Sequence, residues 1–281
     1  MSPKRKVGPA GPTFRTELKR RADDLGVTSE DLDRALIIAQ IAGLLIKDPG
    51  LKGKLAHKGA AVLRLVEKSE RLSRDLDSAD IRGERVDTRL IIRALTTAEA
   101  KKVVLKIVAN RPGQNSASFL VECRRLAGGA TLPISVTINW SEPLLLSPIM
   151  AAYQLPDGTP IKVPVMRAVE RGAEKVRAFL TRGEATDAYD LWWYWSRVLT
   201  TRDREALPSL IRRKLQSAAR PIPGADDLHA RFDEMRENAQ TEWSSEKGLV
   251  ISGKKPDWND VDAALLKFKA RVRQMSAPRG R

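Results

Sequence analysis

Asp75-Leu76-Asp77 places two carboxylates two residues apart. At that spacing a β-strand turns both to one face and Leu76 to the other. Like charges side by side cost stability unless a cation is shared. Mg²⁺ suits such a pair, because it takes one or two carboxylates and completes its shell with water and substrate phosphates. The same tripeptide also fits a solvated charged turn. Lys58-Gly59-Ala60-Ala61 is a second candidate. Glycine ahead of good helix formers reads as a turn feeding a helix N-terminus, whose free N–H groups can meet an anion. A plain structural turn is the alternative. Lys175, in Glu174-Lys175-Val176-Arg177-Ala178-Phe179, reads by itself as a solvated helix residue. Asp187 and Asp190 open the next predicted helix, ahead of Trp192-Trp193-Tyr194-Trp195. Asp187 equally fits a first-turn acid favoured by the helix dipole. The aromatic group reads as core before it reads as a base-stacking platform.

Other chemistries are poorly served. The one cysteine, Cys123, excludes an intramolecular disulfide, and two distant histidines, His57 and His229, argue against a Cys/His zinc site. No G-x-S-x-G elbow accompanies either histidine, which argues against a serine hydrolase. Over 281 residues, Lys plus Arg number 50 and Asp plus Glu 35, a formal net charge of +15. That excess favours a polyanionic partner: nucleic acid, nucleotide or an anionic membrane surface. The basic first residues are followed by no apolar segment, and no run of 18 apolar residues occurs, so a cytoplasmic protein with no membrane span is expected.

The elements that must position these residues divide the chain. Residues 1–13 read as a disordered basic tail. Thr28-Ser29-Glu30-Asp31 starts a helix, which Asp48-Pro49-Gly50 ends. A helical stretch covers 85–97, and strand-like runs cover 103–108, 117–123 and 132–140. In the last, Leu132, Ile134, Val136, Ile138 and Trp140 share one face and Ser135, Thr137 and Asn139 the other, as in a half-buried antiparallel strand. Pro143, Pro148, Pro156 and Pro160, with Asp157-Gly158, mark an irregular crossing region. Helices are expected over 166–181, 186–200, 203–219, 226–246 and 257–274. Strands before helices give an α+β architecture, with a core domain over 14–160 and a helical domain over 161–281. Arg202, Arg204, Arg212, Arg213, Lys214, Lys267, Lys269, Arg271 and Arg273 form basic stripes on the helical half that could follow a phosphate backbone.

The order of these pieces is more specific than any one of them. Lys58-Gly59-Ala60-Ala61, Arg71-x-Ser73-x-Asp75-Leu76-Asp77, Glu174-Lys175-x-x-Ala178-Phe179, Arg182-Gly183 and Asp187-x-Tyr189-Asp190-Leu191 resemble the AbiEii/AbiGii family of nucleotidyltransferase toxins, to which MenT-like toxins belong. Its pattern runs roughly K-G-G-T, R-x-S-x-D-[IL]-D, E-K-L-x-A-L and R-D-x-Y-D-L, and the match covers about residues 57–191. The resemblance implies a polymerase-beta-like nucleotidyltransferase core followed by a helical C-terminal domain. It also implies Mg²⁺-dependent transfer from an NTP, a tRNA 3′ end as acceptor and a cognate antitoxin as partner. On the same resemblance, Asp75 and Asp77 hold Mg²⁺, and Lys58, Gly59, Ser73 and Arg64 lie near the nucleotide. Lys175 meets the triphosphate, Asp187 completes the catalytic set, and Asp190 assists.

Three positions depart from the pattern. Ala60 replaces a glycine, and Thr186 replaces an arginine. The strand expected to carry a third carboxylate offers Ser135, Thr137 and Asn139 instead, with Glu142 just beyond. Either Glu142 serves as that acid or the site works with two. Two other readings stay open: the same chemistry on a protein or small-molecule acceptor, and a non-catalytic basic nucleic-acid-binding module.

Overall fold

The alternation along 132–139 builds the centre of a mixed sheet. Its strands are β1 (Leu55–Lys58), β2 (Asp75–Asp80), β3 (Val104–Pro112), β4 (Ser116–Cys123), β5 (Leu132–Asn139), β6 (Ile149–Gln154) and β7 (Pro160–Val165), in the order β3-β4-β5-β2-β1-β7-β6. The structure, a computed structural model, describes residues 12–142, 144–155, 159–217, 227–245, 251 and 255–276. Leu132, Ile134, Val136 and Ile138 of β5 are buried with Phe119 and Val121 of β4 against α2 (Ser29–Lys47) and α4 (Thr88–Thr96). α2 begins as its sequence demands: the Thr28 side chain accepts a hydrogen bond from the Asp31 amide.

The second half is helical: α5 (Ala168–Arg182), α6 (Ala185–Trp193), α7 (Thr201–Gln216), α8 (Leu228–Ser245) and α9 (Trp258–Ser276). They bury Phe179, Tyr189, Leu191, Ile211, Phe232 and Phe268 in a second core, to which α3 (Gly59–Leu65) contributes Leu63. Tyr194 and Trp195 are buried there too, and Trp192 and Trp193 pack against that core partly buried. α5 ends at Gly183, whose φ of +64° and tight contact with Met235 leave no space for a Cβ. Among the described residues, no helix is long and apolar enough to cross a membrane.

Several sequence expectations change. β5 is antiparallel to β4 but parallel to β2, because α4 and the β3–β4 hairpin carry the chain across. The region expected to be an irregular crossing contains β6 and β7. β7 ladders to β6 along its length but meets β1 only at Val165, so most of its other edge needs no N–H donors and tolerates Pro160 and Pro164. Pro143, Pro156, Asp157 and Gly158 lie outside the described residues. The proposed division at 160/161 therefore falls at the first residue of a sheet strand, and the helices begin after Val165. Pro12 and Thr13, expected in the tail, open helix α1 (Pro12–Asp24), where a first-turn proline sacrifices no hydrogen bond. Residues 1–11 lie outside the described residues. The helix expected over 186–200 is α6 followed by a π-helical turn, Tyr194–Val198.

Candidate active site

The chain places the carboxylate strand between two partners. Asp77 of β2 lies opposite Lys58 of β1 and opposite Thr137 of β5. Gly59 follows Lys58 with φ +71°, and a Cβ there would stand 2.6 Å from Asp77 Oδ2. Glycine is needed twice at this point, for the left-handed turn and for the approach of Asp77. Asp75 lies two residues earlier on the same strand face, exposed at its outer end. Burial and the Asp77 charge raise its carboxyl above the usual carboxylate range. Among the described residues neither Asp75 nor Asp77 makes an ion pair.

α5 covers this face and leaves a cleft of about 200 Å³. The sheet contributes Lys58, Gly59, Asp77, Thr137 and Asn139; α5 contributes Arg171, Glu174, Lys175, Arg177, Ala178 and Arg182. Arg171, Lys175, Ala178 and Arg182 are spaced i, i+4, i+7, i+11 and so line up along one side of the helix.

Every cation of the cleft leans on a carboxylate. Lys58 pairs with Glu174, and Arg171 with Glu67. Arg171 also donates to the Tyr194 hydroxyl and the Met166 carbonyl. Lys175 Nζ sits 3.1 Å from Asp187 and 2.7 Å from Asp190. Arg177 pairs with Glu142 at 2.9 Å, and Arg182 grips Asp187 at 2.6 and 2.8 Å. Arg71 completes the set with two bonds to Asp190, at 2.7 and 3.0 Å. Burial alone would push the Asp187 carboxyl up, but Lys175 and Arg182 outweigh it and hold it at about 2. Burial likewise pulls Lys175 down, and Asp190 and Asp187 overcome it, so this lysine stays charged. The arrangement fixes the ammonium and guanidinium groups of the cleft in place, each held by a carboxylate.

Lys58, Gly59, Asp77 and Lys175 line the cleft, with Asp75 beside it. Asp187 and Asp190 are fully buried behind Lys175, where they hold cations. The Ser73 hydroxyl donates to the Asp75 carbonyl at 2.7 Å and shapes the entry to β2. Arg64 donates to the Ser69 carbonyl at 2.7 Å and does not line the cleft. Glu142 is buried against Arg177, also off the cleft lining. Arg71, Arg171, Glu174, Arg177 and Arg182 were given no role, although the helical spacing along α5 marks most of them. Lys214 leaves the basic stripe altogether: it is wholly buried, on the same α7 side as Leu207, Leu210 and Ile211. Lys269 is occupied by Asp233 and Arg204 by the Trp195 carbonyl.

Among the described residues, no cluster of three His, Cys, Asp or Glu side chains is placed to hold a metal. The donor chemistry still fits Mg²⁺. Asp75 and Asp77 supply hard oxygens on one strand face, and this ion takes its remaining ligands from water and phosphate.

The buried charges also set an acid limit. Burial pulls His57 from its ordinary 6.5 to about 4. The unfolded chain takes up that proton first, so stability should fall by about 3 kcal/mol between pH 6.5 and 4. Glu174 and Asp187, both held at about 2, should remove more as pH falls from about 4.5 towards 2. Urea unfolding across this range checks both windows, and His57→Gln should flatten only the upper one.

A mixed sheet with a carboxylate pair on one strand, set beneath a helix of braced cations, suits phosphoryl chemistry, which needs positioning and charge stabilisation. The family model described as "Nucleotidyl transferase AbiEii toxin, Type IV TA system" matches residues 44–267, and the chain belongs to that family. It is a nucleotidyltransferase toxin of a toxin–antitoxin system, and that family implies an NTP substrate and an antitoxin partner. The fold is similar to that of MenT4, a nucleotidyltransferase toxin of Mycobacterium tuberculosis, with TM-score 0.53 and 20% identity over 90% of this chain and 98% of that one. It is also similar to JHP933 from Helicobacter pylori, with TM-score 0.56 and 13% identity over 86% of this chain and 93% of that one. No curated protein matches the sequence.

Proposed function

We propose that the protein moves a nucleotidyl group from an NTP to the 3′ end of RNA, with tRNA as acceptor, in a Mg²⁺-dependent reaction that blocks translation in the cytoplasm. One observation carries this reading: Asp77, with Asp75 beside it on the same strand face and neither in an ion pair among the described residues, lines a cleft whose other wall carries Arg171, Lys175, Arg177 and Arg182. Asp75 and Asp77 would hold the Mg²⁺, which when bound supplies charge neutralisation at the reacting phosphate. Lys58, Lys175 and Arg182 meet the triphosphate from both walls and fix it against the sheet. The acceptor hydroxyl attacks the α-phosphorus, its bond to the bridging oxygen breaks, and pyrophosphate leaves against the α5 cations. Such transfer rests on positioning and charge stabilisation rather than on covalent chemistry by the protein.

The hydroxyl proton goes to water, because Thr137 stands where a third acid was expected and Glu142 is tied to Arg177. Glu142→Gln should therefore lower the transfer rate a few-fold at most, through a loosened Arg177, and leave the shape of the pH–rate profile unchanged. A flattened profile would make Glu142 the base.

The +15 charge supports an RNA acceptor. The decisive experiment incubates total RNA with the protein, Mg²⁺ and each NTP in turn, then sequences the 3′ ends. Addition to tRNA ends is expected. On the exposed part of the basic surface, Arg213→Glu with Lys267→Glu and Arg273→Glu should weaken RNA transfer, as should added salt, while NTP binding is kept. Transfer that ignores both changes would point to a protein or small-molecule acceptor.

A further inference from the structure

Lys214 is a lysine where a hydrophobic residue would serve packing. It lies on α7 with Leu207, Leu210 and Ile211 and is 0% exposed. Its Nζ is 2.8 Å from Glu170 Oε1 and 3.6 Å from Glu174 Oε2. The other oxygen of Glu174 contacts Lys58 Nζ at the cleft. Glu170, also 0% exposed, is anchored by the Leu145 and Leu146 amides at 2.8 and 3.0 Å. A series of ion pairs therefore runs from Glu170, anchored by the backbone at 145–146, through Lys214 and Glu174 to Lys58.

We propose that Lys214 is a positioning residue of the donor site: by sharing Glu174 with Lys58, it fixes Lys58 at the cleft and leaves that lysine's charge available to nucleotide phosphates. Burying an ammonium is costly, and an apolar residue of similar volume is often neutral or better for stability. A lysine at this place is thus poorly explained by packing. Its consequence is electrostatic. Burial pushes the Glu174 carboxyl up, and Lys58 and Lys214 together hold it down at about 2, so one carboxylate serves two lysines. With Lys214 gone, the whole Glu174 charge falls on Lys58 and competes with the phosphates.

The inference rests on the reading of Lys58 as a donor-site residue, and the test separates the two. Dissociation constants for ATP, CTP, GTP and UTP, each with Mg²⁺, are measured calorimetrically on the full chain. For the nucleotide that binds, Lys214→Met should weaken binding about fivefold or more, and in a Lys58→Ala background it should add less than about twofold, because the two positions act as one. Equal losses in both backgrounds, or unchanged binding with a lowered Tm, would make Lys214 a structural brace and overturn the proposal. Wild-type binding by Lys58→Ala, or no binding by the parent protein, would overturn the donor-site reading and the inference with it. Should Lys214→Met fail to fold, Glu170→Gln with Lys214→Met removes one charge of each sign, leaves Glu174 on Lys58 and must show the same coupling.

Discussion

Asp77→Asn should reduce nucleotide transfer by about 10³-fold or more, equivalent to roughly 4 kcal/mol of transition-state stabilisation. The substitution keeps the shape that fits beside Gly59 and removes only the charge. Asp77 faces Lys58 and Thr137 within the sheet, and its neighbours on β2 are buried, so the strand should stay in place. The charge it loses is one that raises Asp75. Folding stability should accordingly hold or rise, the opposite of what a structural acid would give. Asp75→Asn should behave similarly, and a chelator should silence the parent protein. Transfer rates with labelled NTP, set beside Tm values with and without Mg²⁺, read all of this. Parent-like rates in both variants would remove the metal role from the pair.

That pair was legible because a strand repeats every two residues, which needs no knowledge of the rest of the fold. The same local rule exposed β5, and capping chemistry exposed the start of α2. β6 and β7 were hidden because their prolines read as breaks, and only the sheet shows which edge needs no donors. The cations of α5 were visible in principle: Arg171, Lys175 and Arg182 fall on one helical face, but taken singly each looks like a solvated residue. What no local pattern holds is the pairing behind them. Asp190 takes Arg71 from 119 positions away, and Glu174 takes Lys58 from 116. Sequence could name the acids of 187–190 but could not show that they are buried behind the cleft and hold cations that line it. Lys214 failed for a related reason. Its charge placed it on a basic stripe, whereas its spacing from Leu207, Leu210 and Ile211 placed it inside, and the spacing was the better guide.

Lys175→Ala should lower both stability and rate, and the two effects should separate. Lys175 is the ammonium shared by two fully buried carboxylates, and removing one partner of a buried pair costs about 3–5 kcal/mol when the remaining charge is left alone. Here neither acid is left alone. Asp187 keeps Arg182 and Asp190 keeps Arg71, so the loss should fall at or below the lower end of that range and the fold should persist. The rate is different. Lys175 lines the cleft and the guanidinium of Arg71 does not, so nothing replaces its charge there. The expected fall in kcat is about 10²-fold, measured well below the reduced Tm. Single-turnover transfer at several temperatures distinguishes the effects. A lowered Tm with parent-like kcat would mean that Lys175 only braces Asp187 and Asp190, and that Lys58 and Arg182 alone receive the triphosphate. A lowered kcat at a temperature where the variant is fully folded would place the Lys175 ammonium on the phosphates, with the two buried acids serving to aim it.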